Sequence, residues 1–157
     1  MLNTKTLRGS ALVGPAGLLM LAPLVTGAAE SPSVLHIDFT NLRTAKGVVH
    51  LDVCTKAQFL KECPISADTP SKIGGVRLTV KGLPAGTYAI QAFLDENGNK
   101  KVDRGLFGMP KEGVGFSNDA KITFGPPSWK DAAFTTNGAE QTIHIKMRYF
   151  LGGENPR

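Results

Sequence analysis

Alternation of apolar and polar residues with a period of two is the feature that most limits the fold of this chain. The clearest runs have apolar positions at Leu35, Ile37 and Phe39; Val49, Leu51 and Val53; Val76, Leu78 and Val80; Tyr88, Ile90, Ala92 and Leu94; and Ile143, Ile145, Met147 and Tyr149. Such alternation is typical of half-buried strands. Shorter runs at 122–124 and 132–135 bring the expected number to about seven.

No segment beyond the first 28 residues keeps a helical period for more than two turns. The sequence therefore predicts an all-β fold, a single antiparallel two-sheet sandwich that is immunoglobulin-like or transthyretin-like, with a barrel as the alternative. Residues 43–47 are short, polar and end in Gly47, which predicts a hairpin between the first two strands. The turn at 82–86 leads into Tyr88, whose hydroxyl we expect to tie the corner to nearby backbone.

The first 28 residues have the pattern of a signal peptide. Lys5 and Arg8 precede an apolar stretch at 11–25, and small residues at 26–29 would allow cleavage after Ala28. A retained membrane anchor is the alternative, but the apolar stretch is shorter than the ~20 residues that a spanning helix needs. The sequence thus predicts a periplasmic or secreted β-sandwich at 29–157, with no membrane span after cleavage.

The charge of the chain argues against a nucleic-acid partner. The net charge is +5, and loss of Lys5 and Arg8 with the signal peptide would leave +3. The remaining basic residues alternate with acidic ones and form no continuous stripe, which is typical of a solvated surface. About 129 residues would remain, enough for one domain with a buried core.

Cys54 and Cys63 are the two cysteines of the chain. In an exported protein they are expected to form a disulfide. A continuous helix between them would hold the sulfurs ~13 Å apart, so the segment must fold back on itself, with at most a short helical turn at 56–61. A redox or metal-binding pair is the alternative, but the spacing is not C-x-x-C and there is no third cysteine.

A loop beginning at Asp95 has oxygen-bearing side chains at every second position. The residues at positions 1, 3, 5 and 9 of an EF-hand-like pattern are Asp95, Asn97, Asn99 and Asp103, with the carbonyl of Lys101 at position 7. Calcium takes six to eight oxygen ligands, so this spacing makes calcium a candidate cofactor. Lys100 at position 6 and Leu106 at position 12 depart from the pattern. The alternative is an Asx-rich turn bonded to its own backbone.

A glycine-rich loop follows, and its candidate site residues are Gly105, Gly108, Glu112, Gly113, Gly115, Phe116 and Asn118. We interpret it as a long loop whose glycines take positive φ, with Phe107, Met109 and Phe116 plugging one end of the sandwich. Glu112 or Asp119 could complete a calcium shell. A phosphate cradle is disfavoured because no helix follows the glycines.

Several motifs together resemble one bacterial family of exported proteins, the domain-of-unknown-function 2141 family. They are LPAGTY at 83–88, FLDENGN at 93–99, FGMPKEGVGFSN at 107–118, FGPP at 124–127 and DAAF at 131–134. The resemblance covers nearly all of the chain after residue 28 and implies a small exported β-sandwich with no assigned catalytic residues. Lys100 replaces the second glycine of the loop pattern DENGNGK, which argues against tight metal binding.

Other candidates for chemistry are weaker. His36, His50 and His144 fall on polar strand positions of separate runs, where isolated histidines are commoner than a metal site. Ser117 lies in no Gly-x-Ser-x-Gly elbow, so a nucleophile is not indicated. Trp129 could stack on a sugar, although a partly buried anchor is the commoner role.

The sequence therefore favours a non-enzymatic exported module of the cell envelope with a binding or structural role. Its partner would be an envelope protein or a glycan, and calcium could stabilise the loop at Asp95. The alternative is a small extracytoplasmic hydrolase that uses acidic residues of the glycine-rich loop, Glu112 and Asp119. A convex or filled loop face would favour the module, and a cleft where Glu112 or Asp119 meets a second polar group would favour the hydrolase.

Overall fold

The computed structural model describes residues 33–151. Within that range there are eight strands: β1 (Val34–Leu42), β2 (Val48–Cys54), β3 (Ile65–Pro70), β4 (Gly74–Lys81), β5 (Gly86–Asp95), β6 (Val114–Phe116), β7 (Phe134–Thr136) and β8 (Gln141–Lys146). A short helix α1 spans Trp129–Ala132, and 3-10 turns span Leu106–Gly108 and Ser117–Asp119. The predicted signal peptide and its cleavage site lie outside the described residues.

The strands form two sheets, which confirms the predicted sandwich. One sheet has three strands in the order β4-β1-β8, and the other has the order β3-β2-β5-β6 with β7 also paired to β5. All pairings are antiparallel except that of β1 with β8, which is parallel. Parallel neighbours need a crossover connection, and the long chain between β1 and β8 provides it.

The predicted hairpin between the first two strands is wrong. β1 pairs with β4 and β8, whereas β2 pairs with β3 and β5, so residues 43–47 cross from one sheet to the other. Each strand has one apolar face, and placing the two strands in opposite sheets lets both faces pack against each other. Gly47 serves this crossing, since a Cβ on it would lie 2.0 Å from the carbonyl oxygen of Asp95.

Three further differences concern elements of weak alternation. Residues 122–124 form no strand but lie in a loop, because Pro126 and Pro127 remove the backbone donors that a strand would need next. β3 was not predicted, since its edge position lets small and polar residues alternate there. β6 has three residues within the glycine-rich segment, too few for a period to be visible.

The main core fills the space between the sheets. Its buried residues are Leu35, Ile37, Phe39, Leu42, Val49, Leu51, Val53, Leu78, Val80, Leu83, Ile90, Ala92, Leu94, Phe134, Ile143, Ile145 and Met147. Tyr88 packs against this core and its ring lies over Gly86. Among the hydrogen bonds of residues 33–151 none involves the Tyr88 hydroxyl, so the ring, not the hydroxyl, holds the corner.

A second cluster covers one end of the outer face of the five-stranded sheet. Cys54 and Cys63 form the predicted disulfide, with their Cα atoms 5.2 Å apart. The segment between them folds back through turns, as the amide of Phe59 donates to the carbonyl of Thr55. The apolar neighbours of the disulfide are Phe59, Ala89, Phe116, Ala120, Ala132, Ile122 and Trp129.

Candidate functional site

Asp95 organises the loop that follows β5. Its side chain is 1% exposed. One carboxylate oxygen accepts from the amides of Gly98 (2.7 Å) and Asn99 (3.2 Å), and the other from that of Lys100 (2.8 Å). Burial alone would raise the pKa of Asp95, but these backbone donors outweigh it and hold the pKa below its usual value.

The remaining predicted loop residues gather around Asp103. The amide nitrogens of Asn97 and Asn99 donate to its carboxylate at 2.7 and 3.0 Å. Their amide oxygens accept from backbone, Asn97 from the amide of Asn99 (3.0 Å) and Asn99 from the amide of Lys101 (2.8 Å). The structure thus brings Asp95, Asn97, Asn99 and Asp103 into one loop, with their oxygens bonded inside it.

This geometry is that of an Asx-rich turn. Lys100 has φ 58°, so it adopts the left-handed conformation that an EF-hand loop assigns to glycine. In residues 33–151 no group of three or more His, Cys, Asp or Glu side chains is placed to hold a metal ion. The amide oxygens that a calcium ion would need are turned to backbone N–H groups, so the fit is incomplete, and calcium binding stays a prediction.

Glu112 joins the glycine-rich segment to this loop. It is 5% exposed, and its two carboxylate oxygens accept from the amides of Glu96 and Asp103, each at 3.1 Å. The amide of Lys111 also donates to the carbonyl of Asp103 at 2.8 Å. Glu112 therefore fixes the base of the segment that runs from 103 to 111.

Most glycines of this segment are needed because a side chain would not fit there, and not because the backbone has positive φ. Of the four predicted loop glycines, Gly108 alone has positive φ. A Cβ on Gly113 would lie 2.6 Å from the ring of Tyr149, and one on Gly115 would lie 2.5 Å from Ile145. The expectation of positive φ is therefore wrong for Gly105, Gly113 and Gly115. At these positions a side chain is excluded by close packing against a neighbour.

A groove lies on the outer face of the five-stranded sheet. Alternation along β5 points Gln91 and Phe93 outward, and they pair with Phe116 and Val114 of β6. The segment 103–111 forms one wall as a narrow loop closed by pairing of Arg104 with Pro110, and the loop 121–126 contributes further lining. The cavity has a volume of about 620 Å³.

The residues that line the groove are mainly apolar. They are Asp52, Leu60, Gln91, Ala92, Phe93, Val102, Arg104, Phe107, Gly108, Met109, Pro110, Val114, Phe116, Ile122, Thr123, Phe124, Gly125, Pro126 and Phe150. Two of the aromatic side chains are almost fully exposed, Phe107 at 98% and Phe124 at 108%. Of the predicted plugs, only Phe116 is buried; Phe107 and Met109 instead face solvent at the groove.

Exposed large apolar side chains are concentrated at this face. Among residues 33–151 they are Leu60, Ile73, Leu106, Phe107, Met109 and Phe124. Four of these line the groove, and Leu106 precedes Phe107 at the tip of its loop, 81% exposed. Ile73 alone lies elsewhere, in the turn between β3 and β4.

Three polar side chains of the groove, those of Asp52, Gln91 and Arg104, make hydrogen bonds within the protein. Gln91 donates to a carboxylate oxygen of Asp52 and to the carbonyl of Lys61, both at 3.0 Å, and accepts from the amide of Leu60. Arg104 donates to the carbonyl of Gly108 at 2.9 Å. These contacts shape the floor and one wall, and the surface that a ligand would meet is mainly hydrocarbon.

The acids proposed for hydrolysis lie outside the groove lining. Glu112 is turned to backbone as described, and an oxygen of Asp119 accepts from the amide of Lys146 at 2.6 Å. The Ser117 hydroxyl is fully buried and bonds to the backbone of Ile90 and Ala132. The groove is a cleft, but neither Glu112 nor Asp119 lines it or meets a second polar group inside it.

The histidines are distributed over both sheets. His36 lies 3.2 Å from Glu140, His144 lies 3.7 Å from Asp38, and His50 contacts both Asp68 and Asp52. They form no common site. Trp129 is a half-buried anchor that packs edge-on against Phe59, with ring centroids 5.7 Å apart.

Sequence reasoning missed the groove. Its signal was the placement of Leu106 and Phe107 in a polar, glycine-rich loop, where an apolar pair has no strand or helix face to fill. The sequence predicts Phe107 as a plug and Phe124 as part of a strand, and both predictions assume burial.

The fold and groove define a small β-sandwich with an open apolar face. Residues 37–144 match the model of a family described as "Uncharacterized protein conserved in bacteria (DUF2141)". The chain belongs to this family, as its motifs predicted. No curated protein and no solved structure matches it. In the described part of the chain, no helix has the length and apolar character needed to cross a membrane.

Proposed function

We propose that this protein is an exported, non-enzymatic module of the cell envelope that binds an apolar ligand or partner in the groove on its five-stranded sheet. The observation that carries this proposal is the apolar groove flanked by solvent-exposed Phe107 and Phe124. Its volume of about 620 Å³ is in the range of small-molecule sites. Export is supported by the N-terminal pattern and by the disulfide.

The exposure of these side chains supports a binding role. Proteins of this size rarely keep a contiguous apolar patch in solvent unless it contacts something. Five of the six exposed large apolar residues of the described chain lie at one face, which scattered surface residues would not do. Transferring Phe107 and Phe124 from water into an apolar environment would contribute about 1.5–3 kcal/mol each.

The chemistry of the lining favours an apolar partner over a glycan. A sugar needs several free hydrogen-bonding groups, and those of Asp52 and Gln91 are bonded to each other and to their neighbours. Trp129, the residue that could stack on a sugar, packs on Phe59 and lies outside the groove lining. A non-enzymatic role is supported by the placement of Glu112 and Asp119 outside this lining.

The neutral fluorescent probe N-phenyl-1-naphthylamine tests the proposal. We expect the exported, disulfide-bonded protein to raise its fluorescence saturably, and Phe107→Ser combined with Phe124→Ser to abolish the rise. Ile73→Ser is the control, since it removes an apolar side chain that is 61% exposed and lies away from the groove. Equal fluorescence in all three proteins, each with an unchanged melting temperature, would refute a groove-centred binding role.

A further inference from the structure

We propose that Met109 is a site of oxidation by peroxides in the exported protein, and that its conversion to the sulfoxide weakens the binding of apolar ligands in the groove. The second half of the inference rests on the proposed function, because it concerns the regulation of the same groove. The first half is a property of the side chain and its surroundings, and it can be measured without any ligand.

Exposure distinguishes Met109 from the other methionine of the exported chain. The full sequence has four methionines, and Met1 and Met20 fall within the predicted signal peptide. Of the other two, Met109 is 37% exposed, whereas Met147 is fully buried in the main core. A thioether is oxidised only where the oxidant can reach it, so exposure determines its susceptibility. Met109 is therefore expected to react while the fold protects Met147.

The loop around Met109 holds its backbone and leaves its side chain open to solvent. The carbonyl of Met109 accepts from the amide of Gly105 at 2.8 Å, and pairing of Arg104 with Pro110 closes the loop. A Cβ on the preceding residue, Gly108, would meet nothing within 4 Å. A small oxidant can therefore approach the loop at Met109 without any unfolding.

The cysteines do not compete for the oxidant. Cys54 and Cys63 are the two cysteines of the chain, and they are bonded to each other. Accessible thiolates are the groups that peroxides oxidise readily in proteins. Because both cysteine sulfurs are held in the disulfide, Met109 is the exposed sulfur that remains in its reduced form.

The reaction balances with the peroxide alone. A lone pair of the Met109 sulfur attacks one oxygen of hydrogen peroxide, the O–O bond breaks and an S–O bond forms. The departing hydroxide takes the proton of the transferred oxygen and leaves as water, so the sulfur loses two electrons and the peroxide gains them. A methionine sulfoxide reductase restores the thioether with two electrons from a dithiol, and the oxygen again leaves as water.

Oxidation changes the surface that a ligand meets. Met109 is the one methionine among the residues that line the groove, most of which are apolar. Its thioether is flexible and apolar, and such a side chain adapts to neighbours of irregular shape. The sulfoxide is polar. An apolar ligand offers its oxygen no hydrogen-bond donor, so covering that oxygen removes it from water without compensation.

Peptide mass spectrometry after peroxide treatment tests the site. We expect Met109 to gain one oxygen atom at least about 10-fold faster than Met147, because a buried sulfur reacts only when the core opens. In urea-unfolded protein the two methionines should react at similar rates. Equal rates in the folded protein would overturn the assignment of Met109 as the oxidation site.

Fluorescence of N-phenyl-1-naphthylamine tests the consequence, after catalase has removed the residual peroxide. The oxidised protein should bind the probe about 5–10-fold more weakly at an unchanged melting temperature, the lower end of the effect of burying a polar group because Met109 stays partly exposed. Met109→Gln places a neutral polar side chain of similar length there and should bind more weakly than the unaltered protein without any treatment.

Two leucine variants assign the change to one sulfur. Met109→Leu should have the same affinity for the probe before and after peroxide, whatever that affinity is. Met147→Leu, a substitution that nearly conserves volume, keeps Met109 and should lose affinity on oxidation as the unaltered protein does. Loss of affinity on oxidation of Met109→Leu would show that another residue is responsible and would overturn the inference.

The two readouts separate this inference from the proposed function. An untreated protein that does not bind the probe would refute the proposed function and the regulation of the groove, while the mass readout would still decide whether Met109 is the oxidation site. Binding by the untreated protein that survives complete oxidation of Met109 would overturn the regulation and leave the proposed function in place.

Discussion

The contact between Gly115 and Ile145 joins the two sheets and gives the sharpest stability prediction. Gly115 lies on β6 of one sheet, and Ile145 lies on β8 of the other with a fully buried side chain. A Cβ on Gly115 would lie 2.5 Å from Cγ2 of Ile145 and 3.0 Å from the sulfur of Met147. The side chain of Ile145 therefore occupies the space that the missing Cβ leaves.

Each single substitution should destabilise the fold for a different reason. Ile145→Ala removes three carbons from the core, worth ~2.4 kcal/mol of transfer free energy, and the remaining void brings the cost to about 2–5 kcal/mol. Gly115→Ala adds a methyl group where the backbone cannot yield freely, and should cost about 1–3 kcal/mol. The exposed neighbour His144 is the control, and His144→Ala should change the free energy of unfolding by under about 0.5 kcal/mol.

The double variant tests the packing argument itself. Ile145→Ala removes the atom that the new methyl group would strike, so the two losses should overlap and the double variant should be about 1–2 kcal/mol more stable than their sum. Urea unfolding of the unaltered protein, the two single variants and the double variant measures this coupling, provided that the free energy of unfolding falls with urea at the same slope in all of them. Additive losses within about 0.5 kcal/mol would show that Gly115 and Ile145 do not share this space.

Three further predictions address the disulfide, pH and calcium. Protein isolated from the envelope should show no free thiol after unfolding, because Cys54 and Cys63 are bonded, and two reactive equivalents per chain would contradict this. The pKa of Asp95 is lowered from 3.8, so its contribution to stability is present above that pH and is lost as the pH falls through the lower, folded-state pKa. Asp95→Asn should therefore lose less stability between pH 5 and pH 2 in urea titrations than the unaltered protein. Part of the remaining pH dependence of stability comes from Asp38, whose pKa is lowered by its hydrogen bond with Arg77. An identical slope would refute this role for Asp95. If the loop binds calcium, two formal charges without a glutamate at position 12 predict a dissociation constant of ~10⁻⁴ to 10⁻³ M, so millimolar calcium should raise the melting temperature by a few degrees at most. Asp95→Ala should abolish the rise, and an equal melting curve with chelator would leave the loop an Asx-rich turn.

Period-two alternation predicted the faces of the strands and could not predict their partners. Ile37, Leu51 and Ile145 were assigned to a buried face, and all three are fully buried. Alternation indicates that one face of a strand is apolar. The pattern is identical whether two consecutive strands pair in one sheet or lie in opposite sheets across the core. The short polar segment at 43–47 fits a hairpin and a crossing equally well, and the approach of Gly47 to Asp95 became visible only with the fold.

The candidate loop was predictable in composition and less so in bonding. The spacing placed Asp95, Asn97, Asn99 and Asp103 together, and they do lie in one loop. The donors to their oxygens depend on the backbone conformation at Gly98 and Lys100, both of which have positive φ. A lysine in the sequence does not predict positive φ. Glu112 joined the loop from a distant position in the chain, where the sequence offered it only as one of two acids.

The loop at Asp95 and the wall of the groove are connected structurally. Glu112 fixes the amides of Glu96 and Asp103, and Asp103 begins the segment that carries Phe107 to the rim. The exposed side chain of Phe107 is not positioned by packing, so its position depends on the backbone at the base of the segment. The buried carboxylates of Asp95 and Glu112 supply that base, because each holds two or more backbone N–H groups in low exposure. The residues that the sequence assigns to a metal therefore make structural contacts without one, because their oxygens accept hydrogen bonds inside the loop at the base of this segment.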